Sequence, residues 1–146
     1  MVMLTDYMKE PELDKRLIGL LSQNYEQVYL WPQGRPDTEY VASLDVQVTM
    51  LDHTFNSFRD FVSNEPSFDY IGTRLHGGVW CLLHGRRSLI LEVDNRATEI
   101  HKDTNLPTCK RDNFEFMARW IAGPTETKIR MNEAAIREWK TQFARP

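Results

Sequence analysis

The chain has 146 residues, enough for one domain that buries about 70% of its unfolded surface. Its 18 Lys and Arg against 21 Asp and Glu give a net charge of −3, so no global basic field points to nucleic acid. Two cysteines are too few for a disulfide framework or a zinc site, and no run approaches the ~20 apolar residues of a membrane span. The basic pairs Lys15-Arg16, Arg86-Arg87 and Lys110-Arg111 read as solvated faces. Cys81, inside the apolar run 79–83, reads as a buried thiol. The first residues show neither a basic n-region nor a cleavage pattern, so a cytoplasmic location is expected.

Residues 2–5 form an apolar run that predicts the first strand. Leu13, Leu17, Leu20 and Leu21 then recur at helical spacing, with Pro11 in the first turn, where its missing N–H costs nothing. Residues 28–31 read as a second strand, stopped by Pro32 and Gly34, and 46–51 as a third, apolar at alternate positions. Asp52, His53 and Thr54 are candidate caps for a helix carrying Phe55, Phe58, Phe61 and Val62, an aromatic stripe expected in the core. A break at 64–67 separates it from a fourth strand at 68–72, a helix at 75–84 and a fifth strand at 88–93. Beyond Pro107, Phe114, Met117, Trp120 and Ile121 mark one helix and Ile136, Trp139 and Phe143 another, with Gly123-Pro124 between them.

Strands alternating with helices predict an α/β, Rossmann-like three-layer domain: a mostly parallel sheet of about five strands, flanked by helices. The whole of 1–146 reads as one domain, with 113–143 as terminal helices packing back on it. Right-handed crossovers place the turns at 5–10, 31–37, 52–54, 73–78 and 94–99 on one edge of the sheet. In open α/β folds ligands bind at that edge.

One segment there is sharper than the rest. The strand at 68–72 ends in Thr73-Arg74-Leu75-His76-Gly77-Gly78 and runs straight into a helix. Arg74 offers a planar fork for a carboxylate or phosphate, or else caps the sheet edge or pairs with Asp94. His76 is a candidate proton donor near neutral pH, or a hydrogen-bonded structural histidine. Gly77 and Gly78 either present N–H groups to an anion at the helix start or allow close helix–strand packing. Arg96 and Glu99 offer a second cation and its partner, or an ordinary exposed pair on a helix. Gln33 and Asp37 are turn formers first. His53, His84 and His101 lack metal-site spacing, and no metal or cofactor is expected.

This motif and the segment carboxyl-terminal to it resemble the polysaccharide pyruvyl transferase family. The Arg74-Leu-His-Gly core is succeeded by Gly85 about one helix later, by a strand, and by Asp94-Asn95-Arg96-Ala97-Thr98-Glu99, in the family's order. Pro32-Gln33-Gly34 with Asp37 is similar to the family's turn after its second strand. The resemblance spans about 52–99 and covers only the carboxyl-terminal half of a fold that looks like that of two-domain GT-B-type glycosyltransferases. It departs from the family at Asp6-Tyr7-Met8-Lys9, where an arginine or serine is expected, and at Arg86-Arg87.

The resemblance implies transfer of the enolpyruvyl unit of phosphoenolpyruvate onto two sugar hydroxyls of a glycan or glycolipid precursor, in surface or exopolysaccharide synthesis. His76 is then the catalytic proton donor, and Arg74, Gly77, Gly78, Asn95, Arg96 and Glu99 bind substrate. A missing amino-terminal domain would complete the site, and this chain alone is expected to be inactive. Two other readings stand beside it: a GT-B-type glycosyltransferase half binding a sugar nucleotide, with Glu99 on the ribose, and a non-catalytic module whose Trp120 and Trp139 form an apolar partner-binding patch.

Overall fold

Along the first strand, side chains alternate between two cores. Val2 and Leu4 join one, while Met1 and Met3 join the other. That division is the consequence of a period of two residues in a sheet buried on both faces. A computed structural model describes residues 1–124 and 126–143. In it six strands, β1 (Val2–Met3), β2 (Tyr29–Leu30), β3 (Thr49–Met50), β4 (Asp69–Gly72), β5 (Arg87–Glu92) and β6 (Thr108–Lys110), form one sheet in the order β3-β2-β1-β4-β5-β6. Every pairing is parallel. The protein is an α/β, Rossmann-like three-layer fold.

Two helices, α1 (Pro11–Asn24) and α2 (Arg35–Ser43), cover one face together with α6 (Phe114–Ala122). Leu17, Ile18 and Leu21, Tyr40 and Val41, and Met117 and Trp120 pack there on Leu30, Ile71, Leu89 and Leu91. The opposite face carries α3 (Phe55–Asn64), α4 (Leu75–Leu83) and α5 (Asn95–Thr104), with Phe58, Val62, Cys81 and Ala97 against Tyr70 and Ile90. Burying one such large apolar side chain contributes roughly 1.5–3 kcal/mol over leaving it exposed.

The sheet has six strands where about five were expected. β6 was hidden because it is three residues long and buries only Cys109. α2 was hidden by its own start, Gly34-Arg-Pro-Asp, which reads as a turn. Pro36 sits at the beginning of the helix, where an N–H has no helical acceptor to lose. The third strand pairs only at Thr49–Met50, much less than 46–51.

The basic pairs are not simply solvated faces. Arg111 is buried, and its Nη2 donates to Asp14 Oδ2 at 2.6 Å. Tyr40 Oη donates to the same oxygen at 2.5 Å, so α1, α2 and the end of β6 share one buried carboxylate. Burial and this hydrogen bond push the Tyr40 phenol above its ordinary pKa. Arg86 donates to the carbonyls of Val62, Glu65 and Pro66 at the end of α3. Arg87 reaches the carbonyls of Trp120 and Gly123 and lies 4.2 Å from the centre of the Trp120 ring.

The last helix, α7 (Glu133–Thr141), buries none of its residues, and Trp139 is 58% exposed. Of the apolar residues expected to pack back near the carboxyl end, those of α6 enter the core. In α7, Ile136 is half-buried and Trp139 faces outward.

Candidate functional site

Strand order reverses between β1 and β4: from β1 the chain proceeds to β2 on one side, and β4 returns on the other. Loops leaving the carboxyl ends of these two strands therefore diverge, and a crevice opens between them. A cleft of about 650 Å³ lies there. Its floor includes Met3, Thr5, Thr73 and Arg74. Backbone bonds fix that floor, since Thr73 Oγ1 accepts from the Thr5 N–H at 2.9 Å and Thr73 N–H donates to the Met3 carbonyl at 2.9 Å.

Arg74 is the N-cap residue of α4 and gives the helix no side-chain cap. Its guanidinium turns instead toward α2. Nη2 donates to Asp37 Oδ1 at 2.5 Å and to Oδ2 at 2.6 Å, and reaches Asp6 Oδ1 at a looser 3.4 Å. Asp37 is 2% exposed and also accepts from the N–H groups of Asp6 (2.9 Å) and Gln33 (3.0 Å). One buried carboxylate thus ties together the loops after β1, β2 and β4. Arg74 Nε is buried and has no partner among the described residues.

His76 stands exposed in the first turn of α4 and lines the cleft. Gly78 N–H donates to the Arg74 carbonyl at 3.1 Å, so it belongs to the helix and is not available to an anion. The amides of Leu75, His76 and Gly77 precede it and have no helical acceptor. Both glycines are needed for packing. A Cβ on Gly78 would come within 2.5 Å of Ile90 Cγ1, and one on Gly77 would collide with the Met3 sulfur.

Aromatic rings form the side of the cleft nearest α3 and α4. Trp31 stacks on Phe58 with centroids 4.8 Å apart, and Phe55 meets Trp80 edge-on at 5.3 Å. Phe55 is 54% exposed, so the stripe expected wholly in the core divides, with Phe58 buried and Phe55 lining the cleft.

Across the cleft, Asp94 caps α5 by accepting from Arg96 N–H at 2.9 Å, and Arg96 Nη2 donates to Asp94 Oδ2 at 2.7 Å. That pairing, chiefly the side-chain hydrogen bond from Arg96, holds the Asp94 carboxyl below its usual range. Asp94 is therefore the partner of Arg96, not of Arg74. Glu99 pairs with Lys102 at 2.6 Å rather than with Arg96. Neither Glu99 nor Asn95 lines the cleft, whereas Arg96 does.

Sequence reasoning passed over Asp6 and Tyr7, visible only as a departure from the family's pattern, and undervalued Asp37. The only signal for Asp37 was its place in the Pro32-Gln-Gly turn. Of the other histidines, His84 Nδ1 lies 2.8 Å from the Trp80 carbonyl and His101 Nδ1 2.6 Å from that of Leu106. Among the described residues, no three His, Cys, Asp or Glu side chains converge as a metal site. Among them, too, no helix is long and apolar enough to cross a membrane. A second hollow, of about 450 Å³, is lined by Glu26, Glu65 and Asp69, which repel an anion.

No protein-family model, curated protein or solved structure matches the chain.

Proposed function

We propose that the chain is the donor-binding half of a polysaccharide pyruvyl transferase-like enzyme, with phosphoenolpyruvate seated in the cleft between the ends of β1 and β4. The observation that supports this most is the meeting of Arg74, His76 and the uncapped first turn of α4 in that cleft. A small ligand with a carboxylate and a phosphate needs two anion receptors a few ångströms apart. Arg74 takes the carboxylate, and the amides of Leu75, His76 and Gly77 take the phosphate at the positive end of the helix.

In the reaction a sugar hydroxyl oxygen bonds to C2 of phosphoenolpyruvate while His76 gives a proton to the C3 methylene and takes up the proton that this hydroxyl loses. The C2–O bond to phosphate then breaks, and the second hydroxyl closes the ketal, its proton passing to the departing phosphate. Overall, the donor and two hydroxyls become a pyruvate ketal and inorganic phosphate. The two cleft guanidiniums are each already paired with carboxylates. Further cations, and the exclusion of water, come from a second body that closes the cleft, so turnover by this chain alone is not expected.

The aromatic side of the cleft favours a second reading, a glycosyltransferase half in which Trp31, Phe55 or Trp80 stacks on the base of a sugar nucleotide. A thermal-shift titration with phosphoenolpyruvate, inorganic phosphate and uridine diphosphate separates the two. Stabilisation by phosphoenolpyruvate beyond that by phosphate, lost in Arg74→Lys, supports the pyruvyl donor. A response to the nucleotide alone supports the second reading.

A further inference from the structure

We infer that the Asp6 carboxylate holds the place on Arg74 that a ligand carboxylate takes, so Asp6 is the specificity-determining residue of this cleft. The inference rests on the anion-binding reading above and deepens it.

Arg74 has two carboxylate neighbours of different character. Asp37 is almost fully buried, accepts two backbone N–H groups, and holds Nη2 at 2.5 and 2.6 Å. It is a fixed anchor, since removing it from the guanidinium would leave a buried charge unpaired. Asp6 is 37% exposed and reaches Nη2 only at 3.4 Å, through Oδ1 alone. A contact that long and that wet is weak and easily exchanged.

The turn that carries Asp6 is built to let it go. Tyr7 and Met8 are both more than half exposed, and Met8 adopts φ 51°, the left-handed region that a side chain such as methionine rarely occupies. The end of the turn is anchored, because Arg111 Nη1 donates to the Met8 carbonyl at 2.7 Å. The beginning is anchored too, by the Asp6 N–H on Asp37 and the Tyr7 N–H on Thr5 Oγ1 at 3.0 Å. Between these anchors the Asp6 side chain can swing out while the backbone stays. A carboxylate arriving from the cleft would take over the outer side of the guanidinium, the hydrogen-bonding position that Asp6 fills at 3.4 Å. A bare phosphate bound at the first turn of α4 would not need Asp6 to move. Asp6 thereby lowers the affinity for carboxylate ligands and leaves that for bare phosphate alone, so its presence sets the balance between the two.

The test is isothermal titration of the wild type, Asp6→Asn and Asp6→Ala with phosphoenolpyruvate, pyruvate and inorganic phosphate, with melting temperatures recorded in parallel. Removing the competitor should tighten phosphoenolpyruvate and pyruvate about 3–5-fold, the factor expected for a half-exposed ion pair, and leave phosphate unchanged. Unchanged or weaker carboxylate binding in both variants, with folding intact, overturns the inference while leaving the donor reading standing. Tighter pyruvate in the variants, without preference for phosphoenolpyruvate over pyruvate, keeps the exchange and removes the pyruvyl donor. No response to any anion in any protein overturns both.

Discussion

Arg74 and Asp37, 37 positions apart in sequence, meet through both carboxylate oxygens of a side chain that is almost wholly buried. The pair makes Arg74 structural and receptive at once. Asp37 fixes where the guanidinium points and already neutralises its charge. Any substitution of Arg74 therefore reports on folding as well as on binding.

Replacing Arg74 with alanine should cost about 3 kcal/mol, the low end for breaking a buried pair, because Arg74 itself remains partly wet. Arg74→Lys keeps a cation near Asp37 and should retain most of that stability while losing the planar fork. Urea unfolding checks the first statement. A melting temperature close to wild type, with weakened phosphoenolpyruvate binding, checks the second.

The glycines of the site should rank by what a methyl group would meet. At Gly72 a Cβ would lie 2.5 Å from the Met3 carbonyl oxygen and 2.8 Å from its nitrogen, backbone atoms that cannot yield without breaking the β1–β4 pairing. At Gly77 the obstacle is the end of the flexible Met3 side chain. Gly72→Ala should cost more than the ~1–3 kcal/mol usual for overpacking, and Gly77→Ala should fall within that range. Equal losses in chemical denaturation would contradict this ranking.

How far the sequence discloses the molecule depends on what each residue must satisfy. Leu17 with Leu21, and Ile71 with Leu89 and Leu91, declare themselves by period, because one face of each element is buried. Asp37 could not, because its importance lies in contacts with Asp6, Gln33 and Arg74 brought together by three separate crossovers. Phe55 follows the helical stripe of Phe58, yet it sits one turn earlier and projects past the sheet edge into the cleft. Arg74 and His76 were legible as chemistry from their place between a strand and a helix. Arg96 reaches the cleft as the motif implied, while Glu99, one turn on, does not.

Both cysteines should be silent to thiol reagents at pH 8 in the native state and react on unfolding. Burial pushes Cys81 from 9.0 to about 12. It does the same for Cys109, with Glu92 and Asp112 adding to the effect, again to about 12. The unfolded chain loses these protons first, so stability should be intact below the unfolded value and decline as pH rises from about 9 toward 12. Denaturation midpoints across pH 7 to about 11 read this directly, although tyrosine ionisation contributes in the same direction: Tyr25, Tyr40 and Tyr70 are all shifted upward. Cys81→Ala and Cys109→Ala should each flatten part of the decline.

Two tryptophans in the terminal helices should behave differently. Trp120 is 4% exposed and lies under Arg87, so Trp120→Ala should cost about 3–5 kcal/mol. Trp139 touches Phe143 within or next to its own helix and is mostly in solvent, so Trp139→Ala should stay within about 0.5 kcal/mol. Thermal melts of the two variants suffice to compare them.

Everything proposed for the cleft depends on a carboxylate- and phosphate-bearing ligand binding between the ends of β1 and β4. Amide chemical-shift mapping during a phosphoenolpyruvate titration checks this without intermediaries. The largest changes should fall on Asp6 and Tyr7 after β1 and on Arg74 through Gly77 at the start of α4, saturate together, and weaken in Arg74→Lys. Changes confined to the opposite edge around Tyr25 and Glu65, or none at all, would contradict it.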